Sequence, residues 1–135
     1  MGDIPANEWG LVLDHVNIRT ADLDGLIAFY GRVLGLQPGP RPPFAFPGAW
    51  LYAGDRAVVH LIGVEQPPES GDGEELRLEH FAFRGRDLQA FLDRLEREGV
   101  EPQVAKLPDG SAVQVNIWDP EGNHLHIDFQ PPPAE

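Results

Sequence analysis

Two stretches decide the fold: Leu11–Leu36, LVLDHVNIRTADLDGLIAFYGRVLGL, and Leu76–Val100, LRLEHFAFRGRDLQAFLDRLEREGV. Each opens on an alternating segment rich in branched and aromatic residues, Leu11–Arg19 and Leu76–Arg84, which predicts a strand. Each then turns helical. Leu23, Leu26, Ile27, Tyr30 and Leu34 recur at helical spacing, with Asp22 as N-cap and Gly35 as stop. Leu88, Phe91, Leu92 and Leu95 repeat the pattern between Asp87 and Gly99. The two stretches are in register. His15 and His80, Asp14 and Glu79, Arg19 and Arg84, and Asp22 and Asp87 all stand at one offset of 65 residues.

Outward from these stretches, each half continues as strands. In the first half these are Ala49–Ala53 and Ala57–Ile62 around the turn Gly54-Asp55, with a short strand near Phe44–Phe46. Pro38 to Pro43 carries four prolines and is expected to be irregular. In the second half the strands are Val104–Leu107, Ala112–Trp118 and Leu125–Phe129, the last two joined by the turn Asp-Pro-Glu-Gly-Asn at 119–123. Late in the halves the offset becomes 66, pairing Trp50 with Asn116 and His60 with His126. The expected organisation is a first βαβββ module over 11–64, a linker over 65–75 rich in Pro, Gly and acid, and a second module over 76–130. Residues 1–10 are expected to be a loose leader, and the tail PPPAE extended.

Composition narrows the function. Asp and Glu outnumber Lys and Arg 22 to 10, a net charge of −12, against a nucleic-acid or anionic-membrane partner. A small anionic substrate in a pocket with its own field stays open. The start lacks a secretion signal, and Ala6 stands where a myristoylation site wants Ser or Thr. No apolar run approaches the roughly 20 residues of a membrane span, so a cytoplasmic location is the default expectation. With no cysteine, any metal must be held by nitrogen and oxygen.

The quoted stretches, with Trp118–Phe129, WDPEGNHLHIDF, resemble the vicinal oxygen chelate superfamily: glyoxalase I, extradiol dioxygenases, fosfomycin-resistance thiol transferases and bleomycin-resistance proteins. The resemblance implies an α+β fold in which two βαβββ modules form a curved-sheet cleft around a divalent metal. In many members the cleft pairs modules from two chains, so a homodimer is expected. By the same resemblance His15 and His80 stand at first-strand ligand positions. His60 and His126 stand where relatives place glutamates.

The expected metal ligands are therefore His15, His60, His80 and His126, binding zinc, iron, nickel or cobalt. A three-histidine site with His60 outside it, serving as general base, is the other arrangement. Arg19 is a candidate clamp for a substrate anion, while Arg84 reads as solvated. Asn17, Trp50 and Tyr52 are candidate pocket walls. His124, at the turn side of the last strand and without a counterpart in the first module, is expected to be a hydrogen-bonded structural histidine. The expected function is a metal-dependent lyase or isomerase of glyoxalase type acting on a small oxygen-rich substrate. The alternatives are an extradiol-type dioxygenase, a non-catalytic binding protein of the bleomycin-resistance kind, and a closed structural metal site.

Overall fold

The computed structural model describes residues 12–67 and 78–130. The expected leader, the tail and most of the expected linker lie outside them. Each half contributes one helix and one four-stranded sheet.

In the first half the elements are β1 (Val16–Thr20), α1 (Leu23–Leu34), β2 (Gln37–Gly39), β3 (Gly48–Ala53) and β4 (Arg56–Gly63). The sheet order is β1-β4-β3-β2, with β1 parallel to β4 and the other pairs antiparallel. The second half repeats it with β5 (Phe81–Arg84), α2 (Leu88–Arg97), β6 (Gln103–Lys106), β7 (Val113–Trp118) and β8 (His124–Phe129), in the order β5-β8-β7-β6.

The helix signals operate as the residues dictate. Asp22 caps α1 by accepting from the Gly25 N–H at 3.1 Å, and Asp87 caps α2 by accepting from Ala90 at 3.2 Å. Gly35 ends α1 in the left-handed region at φ 74°, where a side chain would be strained. The apolar faces of both helices join one hydrophobic cluster spanning the two halves, including Leu26, Tyr30, Leu51, Leu61, Leu95, Ile117 and Leu125.

Two expectations need correction. Phe44–Phe46 forms no strand; the extra strand is β2, and it includes Pro38. Proline is tolerated there because β2 is an edge strand paired only with β3, so the missing N–H breaks no ladder on its free side. The strands read from Leu11 and Leu76 begin later than expected, at Val16 and Phe81. His15 and His80 thus sit just before the paired strands rather than within them.

A buried contact ties the halves together. The Tyr30 hydroxyl on α1 donates to Asp119 Oδ2 at 2.9 Å, and both side chains are buried. The Asp119 carboxylate also accepts from the backbone N–H groups of Glu121 and Asn123 and from Asn123 Nδ2, each at 2.9 Å. The Thr20 hydroxyl donates to Glu121 in the same turn. Burial and the neighbouring carboxylate push the Tyr30 phenol well above its ordinary pKa.

Candidate active site

Cross-strand register builds the site in two mirrored rows. In the first half Trp50 of β3 pairs with His60 of β4, which pairs with Asn17 of β1. In the second half Asn116 of β7 pairs with His126 of β8, which pairs with Ala82 of β5. Paired residues project from the same face of a sheet. The repeat-related histidines His60 and His126 therefore occupy equivalent places, and both are buried.

The first half holds an aromatic stack. His60 lies between two rings, with His15 at 3.7 Å and Trp50 at 4.1 Å between centroids, and near-parallel planes in both pairs. The His60 Nε2–H donates to the Ala57 carbonyl at 3.2 Å, leaving Nδ1 as the free lone pair. Burial, then the adjacent His15, lower the His60 pKa. His15 donates from Nδ1 to Asp14 at 2.6 Å, and that hydrogen bond lowers the Asp14 pKa. A cleft of about 490 Å³ opens here, lined by His15, Trp50, Tyr52 and His60 together with Asp14, Asp55, Arg56 and Ala57. Asn17 and Arg19 are exposed on β1 and do not line it.

The second half holds a polar group. His80 donates to Glu79, lowering the Glu79 pKa, and its ring lies 4.6 Å from His126 and 5.3 Å from His124. His126 donates from Nδ1 to Asp128 at 2.6 Å. His124 stacks on Trp118 at 4.6 Å, donates from Nε2 to Asn116 Oδ1 at 2.8 Å, and points Nδ1 at Glu79, 3.5 Å away. The expected hydrogen bond of His124 is present, but the residue also stands within a cluster of ligand-type side chains. The alternation His124, His126, Asp128 along one strand was the sequence signal for it.

The fit to a metal follows from the donors. His15, His80 and His126 each place Nδ1 against a carboxylate, which in the neutral ring directs the lone pair to Nε2, the arrangement that orients metal-binding imidazoles elsewhere. Ring planes decide which can share an ion. An imidazole lone pair lies in its ring plane. Stacked as they are, His15 and His60 direct theirs in parallel planes, so one ring must turn before both meet one ion. The planes of His80 and His126 cross at 42°, and their lone pairs can converge. Among the described residues, one set of three ligand atoms lies within 4.8 Å of one another, from Glu79, His80 and His124. No ring contact among the described residues joins the His15–His60 pair to the histidines of the second half.

A doubled βαβββ fold with histidines at repeat-related places defines a class, and sequence comparison agrees. The chain belongs to the Glyoxalase/Bleomycin resistance protein/Dioxygenase superfamily, whose family description matches residues 12–127. It is similar to Glyoxylase I 4 of Arabidopsis thaliana, 28% identical over 121 residues covering 85% of this chain and 68% of that protein. The fold is shared with the glyoxylase/bleomycin resistance protein/dioxygenase domain from Frankia sp. EAN1pec, at TM-score 0.74 and 17% identity over 90% of this chain and 98% of that one. It is shared also with lactoylglutathione lyase from Agrobacterium tumefaciens, at TM-score 0.65 and 21% identity over 87% and 92%. No helix among the described residues is long and apolar enough to cross a membrane.

Proposed function

We propose that this chain is a metal-dependent enzyme of its superfamily acting on a small oxygen-rich substrate, with lyase or isomerase chemistry of the glyoxalase type. The observation that carries the reading is the carboxylate held on Nδ1 of His15, His80 and His126, which presents three imidazole lone pairs at repeat-related positions. A bound divalent ion, zinc, iron, nickel or cobalt, would polarise the substrate oxygens as a Lewis acid.

The rest of the chemistry falls to the chain. His60 is the candidate general base. Its lowered pKa keeps the ring neutral near pH 7, and Nδ1 is free to take a proton from a substrate carbon. Trp50 and Tyr52 wall the cleft. Arg56, which lines the cleft, is placed to meet a substrate anion, with Arg19 outside it on β1. The first-half and second-half histidines form separate groups within one chain, which supports a homodimer whose site is completed across two chains.

One observation favours a second reading. Glu79 beside His80 and His124 is a two-histidine, one-carboxylate set, the kind that serves iron in oxygenases, and it favours an extradiol-type dioxygenase.

The test is turnover by metal-loaded protein of three probes: a thiol hemiacetal of a 2-oxoaldehyde, a catechol, and an epoxide with thiol. Hemiacetal isomerisation lost in His60→Ala supports the first reading, and catechol cleavage the second. No turnover of any probe by protein shown to hold metal would overturn both. Light scattering that shows only monomer would refute the shared site.

A further inference from the structure

We infer that the second half carries its own metal site, formed by Glu79, His80 and His124. Two of these residues lie outside the repeat-derived ligand set. The inference rests on the reading that the chain binds a divalent transition metal, and it assigns the ligands.

The three donors already lie within 4.8 Å of one another. His124 is the best prepared. Its Nε2 proton is committed to Asn116 Oδ1, so the Nδ1 lone pair faces the cluster. Asn116 cannot flip without loss, because its Nδ2 donates to the Gln103 carbonyl at 3.1 Å. Trp118 stacks flat against the same imidazole, with 12° between planes, and fixes its rotation. A ligand held by packing on one side and a hydrogen-bond chain on the other is pre-organised for an ion.

Charge supports the same set. Four imidazoles leave the whole +2 charge of the ion uncompensated, whereas Glu79 supplies one negative oxygen. The repeat-related set His15, His60, His80 and His126 is all imidazole, and Glu79 adds an acid to the ligands from a different place. Its side chain is 68% exposed and that of His80 40%, so an ion held there faces solvent and keeps open positions for a substrate. The first half offers an internal comparison. Asp14 and His15 repeat Glu79 and His80, but Val58 stands at the position equivalent to His124. That half has the acid–histidine pair without the third ligand.

The test is cobalt(II) titration of the full-length protein by calorimetry and visible absorption, with paramagnetic broadening of histidine NMR signals as the site-specific readout. Wild type should bind with broadening of His80 and His124. Glu79→Gln and His124→Ala should weaken binding at least about tenfold, with Asn116→Ala weakening it roughly 10–100-fold through the orientation of His124. Glu101→Gln, which alters an exposed acid outside both histidine groups, should bind as wild type, and circular dichroism should show every variant folded. Loss in His126→Ala as well, with the other losses present, adds a ligand and supports the site. Metal bound by wild type, lost in His126→Ala but kept by Glu79→Gln and His124→Ala, overturns the assignment and leaves the proposed function standing. No binding by wild type overturns both.

Discussion

Substituting Tyr30 and Asp119 singly and together measures the contact that joins the two halves. Tyr30 is fully buried, and its hydroxyl is one of four donors on the Asp119 carboxylate. In Tyr30→Phe the carboxylate keeps the other three donors, so the cost is that of one charge-assisted hydrogen bond, about 2 kcal/mol. Asp119→Ala removes the acceptor of all four donors and strands the buried phenol, for which about 4 kcal/mol is expected. Once Asp119 is gone, Tyr30→Phe removes an unsatisfied group and should cost almost nothing. The double-mutant cycle from urea unfolding should therefore give a coupling of about 2 kcal/mol. For a chain of this size Tyr30→Phe should lower Tm by roughly 6–8 °C. A second readout is alkaline stability. The Tyr30 pKa is raised in the fold above its unfolded value of 10.0, so the stability it contributes is complete below that value. Above it the unfolded chain releases a proton that the fold retains, stability falls with rising pH, and Tyr30→Phe removes that slope. A coupling below about 0.5 kcal/mol would refute the view that this bond fastens the halves.

Two further perturbations test the site and the sheet. His60 should titrate below the ordinary histidine value of about 6.5, because burial disfavours its charged form. Its unfolded state binds protons first, so stability should fall as pH drops from 6.5 through the folded value, and His15→Ala should raise the His60 midpoint in an NMR titration; a midpoint at or above 6.5 in the wild type would contradict the burial argument. At Gly48 an added Cβ would meet the Leu61 carbonyl oxygen at 2.4 Å, whereas at Gly54 nothing lies within 4 Å and only the φ of +64° resists a side chain. Gly48→Ala should cost about 2–3 kcal/mol and Gly54→Ala about 1 kcal/mol in urea unfolding, and equal costs would contradict the close approach at Gly48.

The sequence disclosed what is local or repeated. Asp22, Gly35 and Asp87 cap helices because a short acceptor side chain, or a residue without Cβ, is legible at one position. The offset of 66 also carried true information, for Trp50 opposite His60 and Asn116 opposite His126 occupy the same register. What stayed hidden depends on distant partners. Pro38 reads as a breaker until β2 is known to be an edge. Asp119 reads as a turn residue, yet one of its donors is Tyr30, 89 positions away. His124 reads as structural because its neighbours Asn116, Trp118 and Glu79 arrive from β7 and from the lead into β5.

The same two rows of residues show how equivalent halves come to differ. Where the first half has Trp50, the second has Asn116, and where the second has His124, the first has Val58. A tryptophan face beside His60 offers the imidazole no proton acceptor, and burial favours its neutral form. An asparagine oxygen beside His124 takes one ring proton and turns the other nitrogen outward as a lone pair. One arrangement suits a base that meets substrate carbon, the other a ligand that meets a cation. On the proposed function, these two differences place the candidate base in the first half and an additional candidate metal ligand in the second.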